Sequence, residues 1–312
     1  MKVHGLCIVK DEADVLEESM TAALRWCDHV YVFDNGSTDG TWELIHKLAE
    51  RYPQIIPYKQ DDTPFSDGLR ADIFNSFQSR CRPGDWWCRL DADEFYIDDP
   101  RIFLAKIPTN VDTVWTASFS YYFTDKDAEL YHQNPAKYSE TPVQQRLRFY
   151  VNHWSEPRFF KHRDGIVWTR EDGGWPESLH RAQAYPVRIW VKHYAYRSPE
   201  QIEQRLRSRR TAIESGTSFG HEALANWSSA VASVRQTRAG FANSSSELAG
   251  VHWEERVVPA SSLDFDGLDR RYVVNEQLMP QILQPKYLDL KRLLPGFIRK
   301  NLKRVLRSLG RK

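Results

Sequence analysis

Three carboxylates close an apolar run in Trp86-Trp87-Cys88-Arg89-Leu90-Asp91-Ala92-Asp93-Glu94-Phe95. Negative charges gathered at one strand end repel unless a cation or a donor group compensates them. Hard oxygen ligands on a short loop suit Mg²⁺ or Mn²⁺, which keep waters and share their coordination with a substrate phosphate. The stretch therefore points to a metal–diphosphate site at the carboxyl end of a strand. In an i, i+2 pair at such an end both side chains tend to the same side. Asp93 is then the direct metal ligand, and Asp91 reaches ribose or a metal-bound water. A solvated acidic turn is the bland alternative.

Two other groups carry potential chemistry. Asp34-Asn35-Gly36-Ser37-Thr38-Asp39-Gly40-Thr41 follows an apolar run directly. Asn-Gly turns the chain, and Ser37, Thr38 or Asp39 caps the next helix. Asp34, at a strand end, is placed to accept hydrogen bonds from a base N–H or ribose hydroxyls. The segment lacks the lysine of a phosphate loop and the G-x-G-x-x-G spacing. Lys10 closes the first apolar run and faces a nucleotide's base or phosphate, or else pairs with Asp11 or Glu12.

The elements that must position these groups alternate in type. Val3–Val9, Val30–Phe33, Gln54–Tyr58 and Trp86–Leu90 read as strands. Ala13–Trp26, Thr41–Tyr52 and Leu69–Arg80 have helical spacing. Alternation of this kind implies βαβ units and a mainly parallel sheet, with ligands outside the carboxyl ends of its strands. Thr113–Phe123, Arg146–Val151 and Val187–Ala195 are β-rich and suit strands added at one edge. Ser198–Glu214 reads as a basic helix. Residues 216–262 are Ser/Ala/Gly-rich and weakly patterned. Gly296–Lys312 carries seven Lys or Arg, no acid, and apolar residues at helical spacing. Such an end lies on an anionic membrane surface or docks as a C-terminal helix.

Composition narrows the classes. The 312 residues are 41% hydrophobic and 27% charged, as in a globular chain with a full core. A net charge of +1 gives no bulk electrostatic case for nucleic acid. Cys7, Cys27, Cys81 and Cys88 form no C-x-x-C pair. With no secretory signal, they read as reduced thiols of a cytosolic protein, and zinc is not expected. No apolar run reaches 18 residues, so no transmembrane helix is expected. The 11 Trp and 14 Tyr fit core packing, with some available to line a sugar cleft.

Together the blocks Cys7-Ile8-Val9-Lys10-Asp11-Glu12, Asp34–Thr41 and Leu90-Asp91-Ala92-Asp93-Glu94-Phe95 resemble glycosyltransferase family 2 in order and spacing. The resemblance covers roughly residues 1–125. It implies a GT-A fold: a mainly parallel α/β sheet flanked by helices, with a β-rich acceptor region and a helical C-terminal extension. It implies Lys10 and Asp34 at a donor nucleotide and Asp91 near its ribose; Arg70 and Arg197 are further candidate donor contacts. Asp93 falls at the metal, Mn²⁺ or Mg²⁺. Arg146–Tyr150, Trp175–His180 and Lys192–Ser198 resemble later blocks of a bacterial branch that builds lipopolysaccharide core and surface polysaccharides. His193 matches the late histidine of GT-A enzymes, which can join the metal–diphosphate site. A histidine often precedes the glutamate that Glu177 matches, and here Pro176 stands in its place. The implied halves are 1–125 for the nucleotide sugar and 126–215 for the acceptor, followed by a variable extension at 216–312.

The implied reaction is an inverting transfer from a nucleoside-diphosphate sugar, a UDP-sugar by preference, to a glycan or lipid-linked acceptor. It needs a carboxylate near the anomeric carbon. Glu177 is the first choice and Asp172, directly before Gly173-Gly174, the second. Trp168, Trp175 and Tyr196 are the aromatic candidates for the cleft walls. A sugar-nucleotide nucleotidyltransferase is the competing enzyme, but Cys7–Asp14 lacks its Gly-rich basic loop. A non-catalytic carbohydrate-binding protein leaves the carboxylates without purpose.

Overall fold

A computed structural model describes residues 1–214, 216, 222, 227–234, 250–267, 269 and 271–275. Met1–Asn275 forms one compact unit. The segment 296–312, expected to be a basic helix, lies outside the described residues.

The strands in chain order are β1 (Val3–Val9), β2 (His29–Asp34), β3 (Ile55–Gln60), β4 (Trp86–Asp91), β5 (Glu94–Tyr96), β6 (Thr113–Tyr121), β7 (Phe149–Trp154), β8 (Pro157–Lys161), β9 (Ile189–His193) and β10 (Asp264–Phe265). The helices are α1 (Leu16–Ala23), α2 (Thr41–Arg51), α3 (Leu69–Phe77), α4 (Pro100–Leu104), α5 (Asp125–Gln133), α6 (Pro135–Glu140), α7 (Val143–Arg146), α8 (Pro199–Glu214) and α9 (Trp227–Val234). The main sheet runs β10-β7-β6-β8-β4-β1-β2-β3. Its β4-β1-β2-β3 part is parallel, as the alternation predicts. Strand β8 enters antiparallel between β4 and β6. Strand β9 pairs with both β5 and β6.

Period-2 alternation divides the core. From β1, Val3, Cys7 and Val9 pack with α1 and α2; Leu6 and Ile8 face the opposite layer with α3. From β2, Val30 and Val32 follow the first group, while Tyr31 and Phe33 follow the second. Helix α2 buries Thr41, Ile45 and Leu48, a stripe at helical spacing. Helix α5 starts with a capping box, Thr124 and Asp127 each accepting from the other's backbone N–H.

The sequence pattern leaves out three pieces. Strand β8 is short and opens on Pro157, and its Phe159-Phe160 pair is shared between two core faces. Strand β5 has three residues, too few for a period to register. Pieces of 216–262 also take structure, including α9. At one edge, β3 carries Pro57 and a register shift against β2. At the other, β10 covers β7 with two residues.

The chain just after β10 is tied down by one carboxylate. Asp266 accepts from Tyr121 Oη at 2.5 Å and Lys192 Nζ at 2.7 Å. Burial pushes this carboxyl up, but Lys192 and Tyr121 outweigh burial and hold it below the usual carboxylate range. The stabilisation is therefore present above the ordinary carboxylate pKa and lost as pH falls through the lower folded value. We expect Asp266→Ala to cost about 1–2 kcal/mol at neutral pH, because the half-buried Lys192 loses its ion pair. Urea midpoints of wild type and variant should converge in acid; a constant gap across pH refutes the assignment.

Candidate functional site

Register brings the chemistry to one edge. Parallel pairing sets Val9 opposite Asp34 and Ile8 opposite Asp91. The segments that leave β1, β2 and β4 consequently meet outside the carboxyl ends of the strands. A cleft of about 1210 Å³ opens there, lined on one side by these loops and on the other by β6, β7 and α8.

The first two loops brace each other. Asp11 adopts φ 55°, in the left-handed region where a non-glycine residue is uncommon. Its N–H donates to Ser37 Oγ at 2.8 Å, and its carboxylate accepts from Thr38 N at 2.8 Å. Lys10 lines the cleft and donates to the Asn35 carbonyl at 2.9 Å. Gly36, at φ +74°, needs its missing Cβ twice over, since a side chain would also crowd Asp62. Asp34 is fully buried and is not in the lining. One of its oxygens accepts from Ser37 N at 2.8 Å and Gln60 Nε2 at 3.3 Å; the other has no hydrogen-bond partner. Here Asp34 shapes the turn that presents Asn35 and Gly36.

The acidic loop forms the floor, and its carboxylates go separate ways. Asp91 accepts from Arg70 Nη2 and, at 2.7 Å, from Arg158 Nη1. Burial pushes Asp91 up, but Arg158 and Arg70 pull it down to about 2. Glu94 is buried against Arg158 Nη2; desolvation prevails over the arginine and raises it to about 8. Asp93 turns the other way. Strand β9 pairs His193 with Glu94, and the Asp93 carbonyl accepts from Tyr194 N at 2.9 Å. This sets His193 Nε2 at 3.4 Å from Asp93 Oδ2. Burial pulls the imidazole down, but Asp93 and then Glu94 raise it to about 9. The carboxyl of Asp93 is held well below the usual carboxylate range.

Among the described residues no three His, Cys, Asp or Glu side chains converge as a metal cage. An Asp–His pair facing an open cleft still fits a hard divalent ion, because such an ion takes few protein ligands and completes its shell with phosphate and water. Coordination by both side chains requires His193 to give up its proton.

A model of glycosyl transferase family 2 matches residues 7–165, just over half of the 312. The chain belongs to this family. Its α/β sheet is of the GT-A type that the motifs imply. Comparison with curated protein sequences gives no match. Among solved structures, the mannosyltransferase PcManGT from Pyrobaculum calidifontis, in complex with GDP-Man and Mn2+, is 15% identical with a TM-score of 0.36. That alignment covers 69% of this chain and 65% of the mannosyltransferase. TarS from S. aureus is 13% identical with a TM-score of 0.36, over 69% of this chain and 39% of TarS.

Other sequence-selected residues of this family 2 chain fall in or out of the cleft. Arg70 and Tyr196 line it. The Tyr196 ring packs edge-on to Trp227 at 5.0 Å and lies under the Arg205 guanidinium. Trp168 and Trp175 do not line it; they pack on Phe160 beneath α3, and Trp168 Nε1 donates to the Gly173 carbonyl at 2.9 Å. Asp172 is also outside the lining and caps its own turn by accepting from Thr169 N at 2.8 Å. Glu177, exposed on a short 3₁₀ turn, is likewise outside it. The physical reason is the apolar pull of Trp168 and Trp175, which folds the 168–181 loop onto α3. There a Cβ on Gly68 would run into the Arg170 carbonyl.

Residues that sequence reasoning left out occupy the opposite wall: Ser118, Ser120, His153, Trp154, Glu156 and Arg158. Trp154 is the one exposed tryptophan among the described residues, at 45%. The available signal was a charged residue inside an apolar strand, as in Arg89 and Arg158, which demands a partner.

Arg197 is not a cleft residue either. It is fully buried and grips both oxygens of Asp14 at 2.7 and 2.9 Å and Glu12 at 2.6 Å. Its Nη1 stands 3.9 Å from Asp93. It thereby ties the loop after β1 to the segment after β9. We expect Arg197→Met to leave these acids uncompensated and cost about 3–5 kcal/mol in unfolding free energy. Denaturant titration checks this; a variant with wild-type stability and only weaker nucleotide binding returns Arg197 to the donor.

Proposed function

We propose that this chain is a metal-dependent, inverting glycosyltransferase acting on a nucleoside-diphosphate sugar, with UDP-sugars favoured. Its acceptor is a glycan or lipid-linked glycan of a bacterial surface polysaccharide. The basic segment 296–312 then holds the enzyme at an anionic membrane surface, on the cytoplasmic side. The observation that carries the reading is the Asp93–His193 pair at 3.4 Å beside Asp91, at the carboxyl ends of parallel strands in a family 2 chain. The cleft volume of about 1210 Å³ also exceeds the roughly 300–1,000 Å³ of a site for one small ligand, which leaves space for donor and acceptor together.

In this reading Lys10 and the Asn35–Gly36 turn meet the nucleotide, and Asp91 accepts from ribose or a metal-bound water. Asp93 and His193 hold Mn²⁺ or Mg²⁺, which supplies positive charge to the departing diphosphate. Arg205 adds a fixed cation, within electrostatic reach of Asp93. Trp154 offers an apolar plane to a pyranose face. The acceptor hydroxyl loses its proton to a carboxylate on the sugar side of the cleft. We assign this role to Glu156 ahead of Glu177 and Asp172, because Glu156 lines the cleft next to Trp154 with its side chain 22% accessible. Glu94 is tuned upward but is sealed under Arg158. One displacement from the acceptor side inverts the anomeric centre.

Calorimetric titration with UDP, with and without Mn²⁺, tests the site. Wild type is expected to bind in a metal-dependent manner, and Asp93→Ala to lose that dependence while keeping its fold by circular dichroism. Metal-independent or absent binding of UDP, GDP and other nucleoside diphosphates alike removes the reading. For the base, Glu156→Gln is expected to lower kcat by roughly 10²-fold with donor KM little changed. Glu177→Gln and Asp172→Asn are expected to turn over like wild type. The reverse pattern restores Glu177 or Asp172.

A further inference from the structure

Arg158 sits where two halves of the cleft meet. It is 4% exposed, on β8, between Phe159 and the hairpin tip that carries Trp154 and Glu156. Its Nη1 donates to Asp91 Oδ2 at 2.7 Å; its Nη2 donates to Glu94 and pairs with Glu156 at 2.9 Å. Nη1 also reaches the Arg89 carbonyl at 3.4 Å. Three carboxylates, two from the acidic loop and Glu156 from the hairpin tip, thus converge on one planar fork. Guanidinium geometry permits this and a point-charge ammonium does not.

The second cation on Asp91 is Arg70, which approaches the other oxygen from α3. Asp91 is therefore clamped through both oxygens, one from each side of the sheet end. Rotation of its χ angles breaks one clamp or the other. Arg70 has a further partner in Asp67, 2.8 Å away, on the loop before α3. Asp67 is shared with Arg89 at 3.3 Å, and Arg89 lies 3.6 Å from Glu156. The ion pairs close a ring through Asp91, Arg70, Asp67, Arg89, Glu156 and Arg158. That ring binds the acidic floor to the hairpin of the opposite wall.

We propose that Arg158 is a positioning residue for nucleotide-sugar binding. It fixes the rotamer of Asp91 and sets the Trp154–Glu156 tip at a constant distance from the donor floor. The proposal rests on the cleft being the nucleotide-sugar site. Its effect runs through Asp91, so its contribution to donor affinity should vanish once Asp91 can no longer serve. A stability role alone predicts no such dependence.

The experiment is a double-mutant cycle on nucleoside-diphosphate Kd by calorimetry, in Mn²⁺, with wild type, Arg158→Lys, Asp91→Asn and the double variant. Arg158→Lys keeps the charge and stem, and thermal melts report whether each variant is folded at the assay temperature. Arg158→Lys is expected to weaken binding roughly tenfold, the worth of one charge-assisted hydrogen bond. In the Asp91→Asn background the same change should cost less than about twofold. Equal losses in both backgrounds overturn the proposal while leaving the nucleotide site in place. So does an Arg158→Lys variant that binds like wild type. Failure of wild type to bind any nucleoside diphosphate overturns both. Should Arg158→Lys melt below the assay temperature, Glu94→Gln with Arg158→Met removes the buried acid with its partner, and the cycle is read on that pair.

Discussion

Taking Asp91, Asp93 and Glu94 out of water is the constraint that shapes the cleft. A buried carboxylate costs several kcal/mol unless cations and donors replace its hydration. No single element can supply them. Arg70 comes from α3, Arg158 from β8, His193 from β9 and Arg197 from the turn after β9. Each element is held by its own apolar packing, so the charges meet at fixed distances. The acidic loop is consequently a product of the tertiary structure more than of its own ten residues.

The compensation is uneven, and the unevenness separates roles. Asp91 receives two guanidinium groups and stays ionised far below neutral pH. Glu94 receives one, deeper in the protein, and is pushed above the ordinary glutamate range. Asp93 faces an imidazole whose proton it holds up to about pH 9, a proton that a divalent ion has to displace in order to bind there. Three neighbouring acids of one sequence motif therefore have three different electrostatic characters. Their direction along the strand end, alternating between the β8 side and the β9 side, accounts for the difference.

Much of this was legible in the chain, and the boundary of legibility has a physical meaning. Buried parallel strands such as Val3–Val9 announce themselves as unbroken apolar runs, and Thr41–Arg51 by its stripe of Thr41, Ile45 and Leu48. The acidic loop stood out because carboxylates after an apolar run need an explanation. Arg158 did not, since Glu94 and Asp91, the acids of the floor that it holds, lie 64 and 67 residues away and no local period links them. Trp168 and Trp175 illustrate the converse. Tryptophan near a candidate loop fits a sugar platform and a core anchor equally well, and only packing on Phe160 decides between them. Arg197 is similar: its burial follows from Glu12 and Asp14, 185 and 183 residues earlier, which approach only when β9 docks.

The margins of the sheet have a separate consequence. Strand β3 ends one side with Pro57, which offers no N–H, with a register shift, and with the charged Lys59. At the other side β10 spends its hydrogen bonds on β7 for just two residues before Asp266 turns the chain back onto Lys192. Among the described residues, neither margin presents a long, flat row of open backbone groups. A sheet this wide would otherwise be a template for pairing between molecules. Built this way, it can work at high local concentration, as on a crowded surface, without recruiting copies of itself strand to strand.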